Sequence, residues 1–236
     1  MSSSLDAYRW GWIDASYQAL LWWQGGAYLR TLGIMVVVRA MGIQTQVRRI
    51  PMSREQFLQL PEGPPFYDYV NGEAIEVNRP SVRRQEILLA LSAFLHAHVQ
   101  THALGKLLIE VNLELPNGNI YTPDILFYSH QTAGQIDLRR GYVRGVPDLV
   151  VEILSPSTAD YDRTQKMGDY AACGVPWVWL VDQETLLIEE YQWTPEGYLR
   201  RQAVDAHTPF RPHLFAGLSF QMAQLSPPPE GEERNV

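Results

Sequence analysis

Two short runs constrain this chain more than anything else in it. Ile125-Leu126-Phe127-Tyr128 is almost wholly apolar, and Leu149-Val150-Val151-Glu152-Ile153-Leu154 is apolar at every position but one. Runs this short and this apolar suit central strands covered on both faces. The fold they require is therefore a sheet with helices packed on its faces. Glu152 then needs an explanation. A carboxylate in such a strand has to be paired, bound to a metal, or placed at the end of the sheet.

Size is compatible with that requirement. At 236 residues, 46% of them hydrophobic and 19% charged, the chain can bury one substantial core. Cys173 is the single cysteine, so no internal disulfide is available and a cytoplasmic setting is expected. The net charge of −7 is unevenly spread: residues 1–51 hold five Arg and two Asp, a balance of +3, which leaves −10 on the rest. An acidic body argues against tight nonspecific binding to bulk nucleic acid, whose phosphates favour a strongly basic field. Any nucleic-acid groove would have to be a local patch of arginines. Among 19 basic residues only Lys106 and Lys166 are lysines, so a lysine here stands out as a compact ammonium where arginine is the default.

The first 51 residues differ from the rest. They concentrate Trp10, Trp12, Trp22, Trp23, Tyr8, Tyr17 and Tyr28 beside the apolar run Ile34-Met35-Val36-Val37-Val38. That run is too short to span a bilayer, and Asp14, Arg30 and Arg39 interrupt the longer window, so no integral membrane association is expected. No basic segment precedes an uninterrupted apolar one, so a signal peptide fits poorly. We expect an accessory segment, helical or outside the folded unit, followed by a domain over 52–225. From Ser226 the Pro227-Pro228-Pro229 run and its acidic neighbours cannot build a core and are expected to be disordered.

From Ser53 the order is clear. Ser53-Arg54-Glu55-Gln56 has the form of a capping box opening a short helix that Pro61 ends. Phe66 to Val70, Asn71-Gly72 and Glu73 to Val77 read as a hairpin, because Asn-Gly accepts the positive φ angles of a tight type I′ turn. Pro80-Ser81 opens a long helix to about Thr101, with Val82, Leu88, Leu89, Leu91, Leu95 and Val99 as its apolar stripe. Residues 107–115 alternate as one half-buried strand, with a turn at Pro116 to Asn119. After the two central strands come a helix from Thr158 to Cys173 and strands at 177–181 and 186–193. The class is α/β or α+β, with one mixed central sheet flanked by helices and an N-terminal hairpin and helix.

Asp124, directly after Pro123, opens one central strand, and Glu152 lies in the other. Two carboxylates on neighbouring strands can hold Mg²⁺ or Mn²⁺, and the Ile153 carbonyl can add an oxygen. Lys166 lies on the following helix with Asp162 four residues before it. It is either half of a surface ion pair or an ammonium reaching back over the strand ends to the attacking water.

These residues resemble the Uma2 (DUF820) family of endonucleases. The likeness is carried by Tyr67-Asp68-Tyr69-Val70-Asn71-Gly72-Glu73, by Pro123-Asp124-Ile125, and by Gly145-Val146-Pro147-Asp148 through Ser157-Thr158. It continues through Asp162, Lys166, Tyr170 and Gly174 to Asp182. It covers roughly 52–220 and implies a restriction-endonuclease-like core of the PD-(D/E)xK superfamily. By position it implies Asp124 and Glu152 as ligands of Mg²⁺, no small-molecule cofactor, DNA as substrate and a homodimer. Leu154 stands where the E-x-K pattern has its lysine, and Lys166 would replace it. Glu73 matches a family glutamate and would be a further acid of the site. Arg84 stands where many members carry histidine. A catalytically silent module, binding DNA or protein, is the alternative that the acidic surface and the missing lysine permit.

Overall fold

The computed structural model describes residues 21–23, 26–31, 34–38, 48–61, 63–77, 81–136 and 141–226. The chain divides between residues 46 and 47 into two units. In the first, β1 (Leu21–Trp23), β2 (Gly26–Thr31) and β3 (Ile34–Val38) form a three-stranded antiparallel meander. Of the two readings of this segment, helical or outside the folded unit, its described residues are strands and not helix, as the β-branched run Val36 to Val38 and the aromatic content favour.

The second unit begins before residue 52, because β4 (Arg49–Pro51) pairs with a strand of the body. Ser53 caps α1 (Arg54–Phe57) with both reciprocal bonds of the capping box. β5 (Phe66–Val70) and β6 (Glu73–Val77) form the hairpin around Asn71-Gly72, both at positive φ. Ser81 caps α2 (Val82–Thr101) by accepting from the Arg84 amide. The segment read as one strand is two: β7 (Gly105–Ile109) and β8 (Asn112–Glu114) lie in different sheets. Glu110 at φ 49° makes the break. β9 (Ile120–Tyr121), β10 (Ile125–Ser129), β11 (Tyr142–Arg144) and β12 (Leu149–Leu154) follow. Next come α3 (Ala159–Tyr161), a π-helical turn (Asp162–Lys166) and α4 (Met167–Ala172). β13 (Trp177–Asp182), β14 (Ile188–Thr194), β15 (Gly197–Val204) and α5 (Met222–Leu225) complete the body.

These strands form two six-stranded mixed sheets where one was expected. The main sheet runs β15-β14-β13-β12-β10-β7, and the second runs β11-β8-β9-β5-β6-β4. β12 and β13 are parallel, joined by the crossover through α3 and α4. Side-chain alternation assigns each residue of the two central strands to a layer. Ile125, Phe127, Leu149, Val151 and Ile153 pack with Ile87, Leu88, Leu91, Leu95 and Val99 of α2. Leu126, Tyr128, Val150 and Leu154 pack with Val70, Ile75, Leu113 and Tyr121 of the second sheet and Tyr170 of α4. Each buried α2 residue stabilises by about 1.5–3 kcal/mol relative to exposure, so packing holds this helix in place. Val82 and Leu89, counted in the apolar stripe, are instead exposed. Ser226 is buried and accepts from Arg83, so the ordered body includes it, and the proline-rich segment after it lies outside the described residues. Among the described residues no helix is long and apolar enough to cross a membrane.

Candidate active site

The β10–β12 register pairs Ile125 with Val151, and extending it by one residue sets Asp124 opposite Glu152. Directly opposed residues of an antiparallel pair have Cβ atoms about 4.5–5.5 Å apart. Strand alternation gives Asp124 and Glu152 the face of Leu126, Val150 and Leu154, toward the second sheet and α4. Both carboxylates are buried, at 0% and 1% exposure.

Every oxygen of the two acids accepts a bond. Asp124 Oδ1 accepts from Arg84 Nη2 at 2.6 Å, and Oδ2 accepts from the Ile153 amide at 2.7 Å. Glu152 Oε2 accepts from Lys166 Nζ at 3.1 Å, and Oε1 accepts from the Tyr170 hydroxyl at 2.7 Å. Lys166 also reaches Asp162 Oδ1 at 2.9 Å. The ammonium is buried and turned toward the acids, so the surface-pair alternative is excluded. Lys166 and Asp162 bound the π-helical turn, a local widening that recurs at functional positions.

The sequence-derived set divides accordingly. Asp124, Glu152 and Lys166 are brought together, and Ile153 meets them through its amide. Glu73 is not brought to them: it pairs with Arg49 at 3.2 Å at the turn end of the hairpin, part-exposed. The hairpin acid that does face the cluster is Asp68, 1% exposed, whose Oδ1 accepts from the Thr122 amide at 3.3 Å. Its position in a strand reading Phe-Tyr-Asp-Tyr-Val was the available signal, since an acid there interrupts an apolar run as Glu152 does. Arg84, Asp162 and Tyr170 complete the cluster.

Among the described residues, Asp68, Asp124, Glu152 and Asp162 lie around two cations, Arg84 and Lys166. Burial pushes Glu152 up to about 8; Lys166 opposes that shift, while Asp162 and Asp124 add to it. Burial likewise raises Asp124 above the usual carboxylate range, against the pull of Arg84 and the Ile153 amide. Burial opposes the charge on Lys166, but Asp162, Glu152 and Asp68 overcome it and hold the ammonium above its ordinary value. Beside these groups lies a cavity of about 20 Å³ lined by Asp68, Arg84, Thr122, Tyr161, Asp162 and Lys166. That is room for one water or one ion.

Carboxylate oxygens beside a one-ion cavity, which Asp68 and Asp162 line and Asp124 and Glu152 do not, fit a hard dication such as Mg²⁺, which takes few protein carboxylates and keeps its waters. Among the described residues, however, no three acid, histidine or cysteine side chains stand ready around one point.

The family model described as "Putative restriction endonuclease" (Uma2) matches residues 54–223. A similar solved structure is that of a nuclease assigned to DUF820 from Anabaena variabilis, described as putative. It is 19% identical with a TM-score of 0.59, and the likeness covers 74% of this chain and 97% of that one. No curated protein matches the chain.

Proposed function

The chain belongs to the Uma2 family, and from that premise we propose that it is a Mg²⁺-dependent endonuclease hydrolysing phosphodiester bonds of DNA. The observation that carries this reading is the convergence of Asp124, Glu152 and Lys166. Two opposed acids on adjacent strand ends are joined by the one lysine in the body that is buried. Asp124 and Glu152 would hold the metal, with Asp162 and Asp68 close enough to share its field. Once bound, a dication of this kind lowers the pKa of water and offsets charge on a phosphoryl oxygen.

The protein's own part is positioning. Tyr170 and Lys166 fix Glu152 from two sides, so its carboxylate cannot rotate away from Asp124. Lys166 has three donors and spends two on Glu152 and Asp162. The third is available to orient a water or a phosphate oxygen as negative charge develops on it. The acidic exterior restricts DNA contact to a local approach over this end of the sheet. Cutting both strands of a duplex would call for two copies of the chain.

One observation favours the alternative, a catalytically silent binding module: both carboxylates are already saturated by protein donors. Cleavage of plasmid and single-stranded DNA with Mg²⁺ or Mn²⁺ decides between them, comparing the native chain with Glu152→Gln and Lys166→Ala. Loss of cutting in both variants supports the nuclease. Cutting that survives both removes these residues from the mechanism, and no cutting of any DNA by the native chain supports the silent module.

A further inference from the structure

We propose that Arg84 is a resident competitor for the metal position on Asp124, a cation that a dication has to displace before the site can load. The inference rests on the metal-dependent reading above and goes beyond it by naming a residue that sets metal affinity.

Three observations carry it. First, Arg84 reaches Asp124 from the layer opposite to Lys166: α2 covers one face of the main sheet, and the crossover carrying Lys166 covers the other. The two cations therefore divide the acids between them, Lys166 on Glu152 and Asp162, Arg84 on Asp124. Second, a guanidinium does not give up its proton in a protein. A dication on the same carboxylate would sit within a few ångströms of a permanent positive charge, in a site with little water to screen it. A histidine could relieve that repulsion by losing a proton; arginine has to move. Third, Arg84 is held incompletely. It reaches Asp124 through one nitrogen, Nη2, rather than as a two-pronged fork, and its buried Nε has no hydrogen-bond partner. A buried donor without an acceptor is an uncompensated cost. The guanidinium also lines the 20 Å³ cavity, so the space a metal would need lies next to the group that has to leave.

The arrangement is a two-state site. With Arg84 on Asp124 the carboxylate is neutralised by the protein; with Arg84 away its Oδ1 is open to a dication. The apparent metal affinity is the intrinsic one reduced by the fraction of molecules in which Arg84 has left.

The test is Mn²⁺ binding, followed by the electron paramagnetic resonance of free Mn²⁺. It uses the full chain freed of metal with EDTA and then dialysed, as native protein, Arg84→Met, Arg84→Gln, Arg84→Lys and Glu152→Gln. If Arg84 occupies Asp124 in nine molecules of ten or more, its removal tightens Mn²⁺ binding by about tenfold or more. Arg84→Met keeps the apolar stem and Arg84→Gln keeps a neutral donor, so one of the two reports even if the other fails to fold. Arg84→Lys retains the charge and is expected to bind like the native chain. Without metal both neutral variants melt below native, because Asp124 has lost its counter-charge, and Mn²⁺ raises their Tm by more than it raises the native Tm. Native binding with no tightening in either neutral variant overturns the role of Arg84 and leaves the metal-dependent reading standing. No Mn²⁺ binding by folded native and folded neutral variants alike removes the metal itself, and with it this inference. Binding by Glu152→Gln as tight as native places the metal away from these acids and overturns both.

Discussion

Glu152→Gln is the substitution whose stability profile most directly tests how burial and its neighbours act on Glu152. The exchange preserves shape. The amide oxygen can accept from Lys166 and the amide nitrogen can donate to the Tyr170 hydroxyl oxygen, at the cost of the acceptor that the Tyr170 proton had in Glu152, and Lys166 keeps Asp162. What changes is that one of four buried acids loses its charge. Glu152 has an ordinary value of 4.5 and is pushed up to about 8 in the folded protein. The sign follows. Between those values the folded protein holds a proton that the unfolded chain releases, so the contribution of Glu152 to stability is complete below pH 4.5. It declines as pH rises toward 8. The slope is a little over 1 kcal/mol per pH unit, hence about 3–4 kcal/mol lost by the native chain between pH 5 and 8. Glutamine mimics the protonated acid and loses none of it.

The expected outcome in EDTA is therefore two-part: the variant matches native stability at pH 5 and exceeds it at pH 8 by about 2–4 kcal/mol, part of the difference being returned by the lost Lys166 pair. Urea unfolding followed by far-UV circular dichroism at pH 5, 6.5 and 8 measures it. Added Mg²⁺ should restore native stability at pH 8 and leave the variant unmoved, because only the native site gains from a dication. A variant weaker than native at pH 8 by more than at pH 5 would overturn the raised pKa of Glu152. Glu152 would then be an ionised partner held favourably by Lys166, with no unpaired negative charge for a metal to satisfy.

Other outcomes test the scaffold around the site. Tyr170→Phe removes the 2.7 Å donor to Glu152 and should cost about 1–3 kcal/mol in urea unfolding at neutral pH. Gly105→Ala should cost more than about 3 kcal/mol, because the added Cβ would lie 2.0 Å from the Tyr128 carbonyl oxygen where β7 pairs with β10; a melting temperature near native would contradict the pairing. Glu114 accepts two bonds each from Arg54 and Arg144. Burial pushes its carboxyl up, but the two arginines prevail and hold it at about 2, so its stabilisation is present above pH 4.5 and lost as pH falls from 4.5 toward 2. Glu114→Gln should flatten that part of an acid-unfolding curve.

The parts of the fold that were legible from sequence are those in which local chemistry and tertiary position agree. The hairpin at Asn71-Gly72, the cap at Ser53 and the central strands are of this kind, each determined by a backbone requirement or a burial requirement that only a few residue types meet. The division of 107–115 was not legible, because the alternation of apolar and polar residues is continuous through Glu110 and only its positive φ carries the chain from one sheet to the other. The stripe on α2 was misassigned at Val82 and Leu89 for a similar reason: helical periodicity marks two adjacent faces as apolar, and which one is buried depends on the sheet beneath. β15 escaped notice because its residues Arg200 and Arg201 are those of an edge strand facing solvent. For the site, an interrupted apolar run disclosed Glu152, an acid opening the neighbouring strand disclosed Asp124, and the rarity of lysine disclosed Lys166. Glu73 was drawn in by its place in a motif; it shares a face of the hairpin with Asp68 but lies at the turn end, opposite Val70 and paired with Arg49, whereas Asp68 faces the cluster.

The displaced lysine has a structural reason once the layers are known. Residues 152 and 154 lie on the same face of β12, so a lysine at 154 would present its ammonium on the same side as the Glu152 carboxylate. In this chain that side at residue 154 is core: Leu154 is 1% exposed and packs with residues of the second sheet. An ammonium there would be buried among apolar groups with its stem too short to clear them. The crossover that joins parallel β12 and β13 has to pass over this same face, and its widened turn carries Lys166 back across the strand end. The ammonium therefore arrives from above the sheet instead of along the strand, beside the small cavity that it lines with Asp68 and Asp162. Arg84 reaches Asp124 from α2 in the opposite layer, so two layers each bring one cation to the end of the central strands. Charge at this site is set by which layers meet at the end of the central strands, and a change in Arg84 or Lys166 should act on the acids without disturbing the strands that carry them.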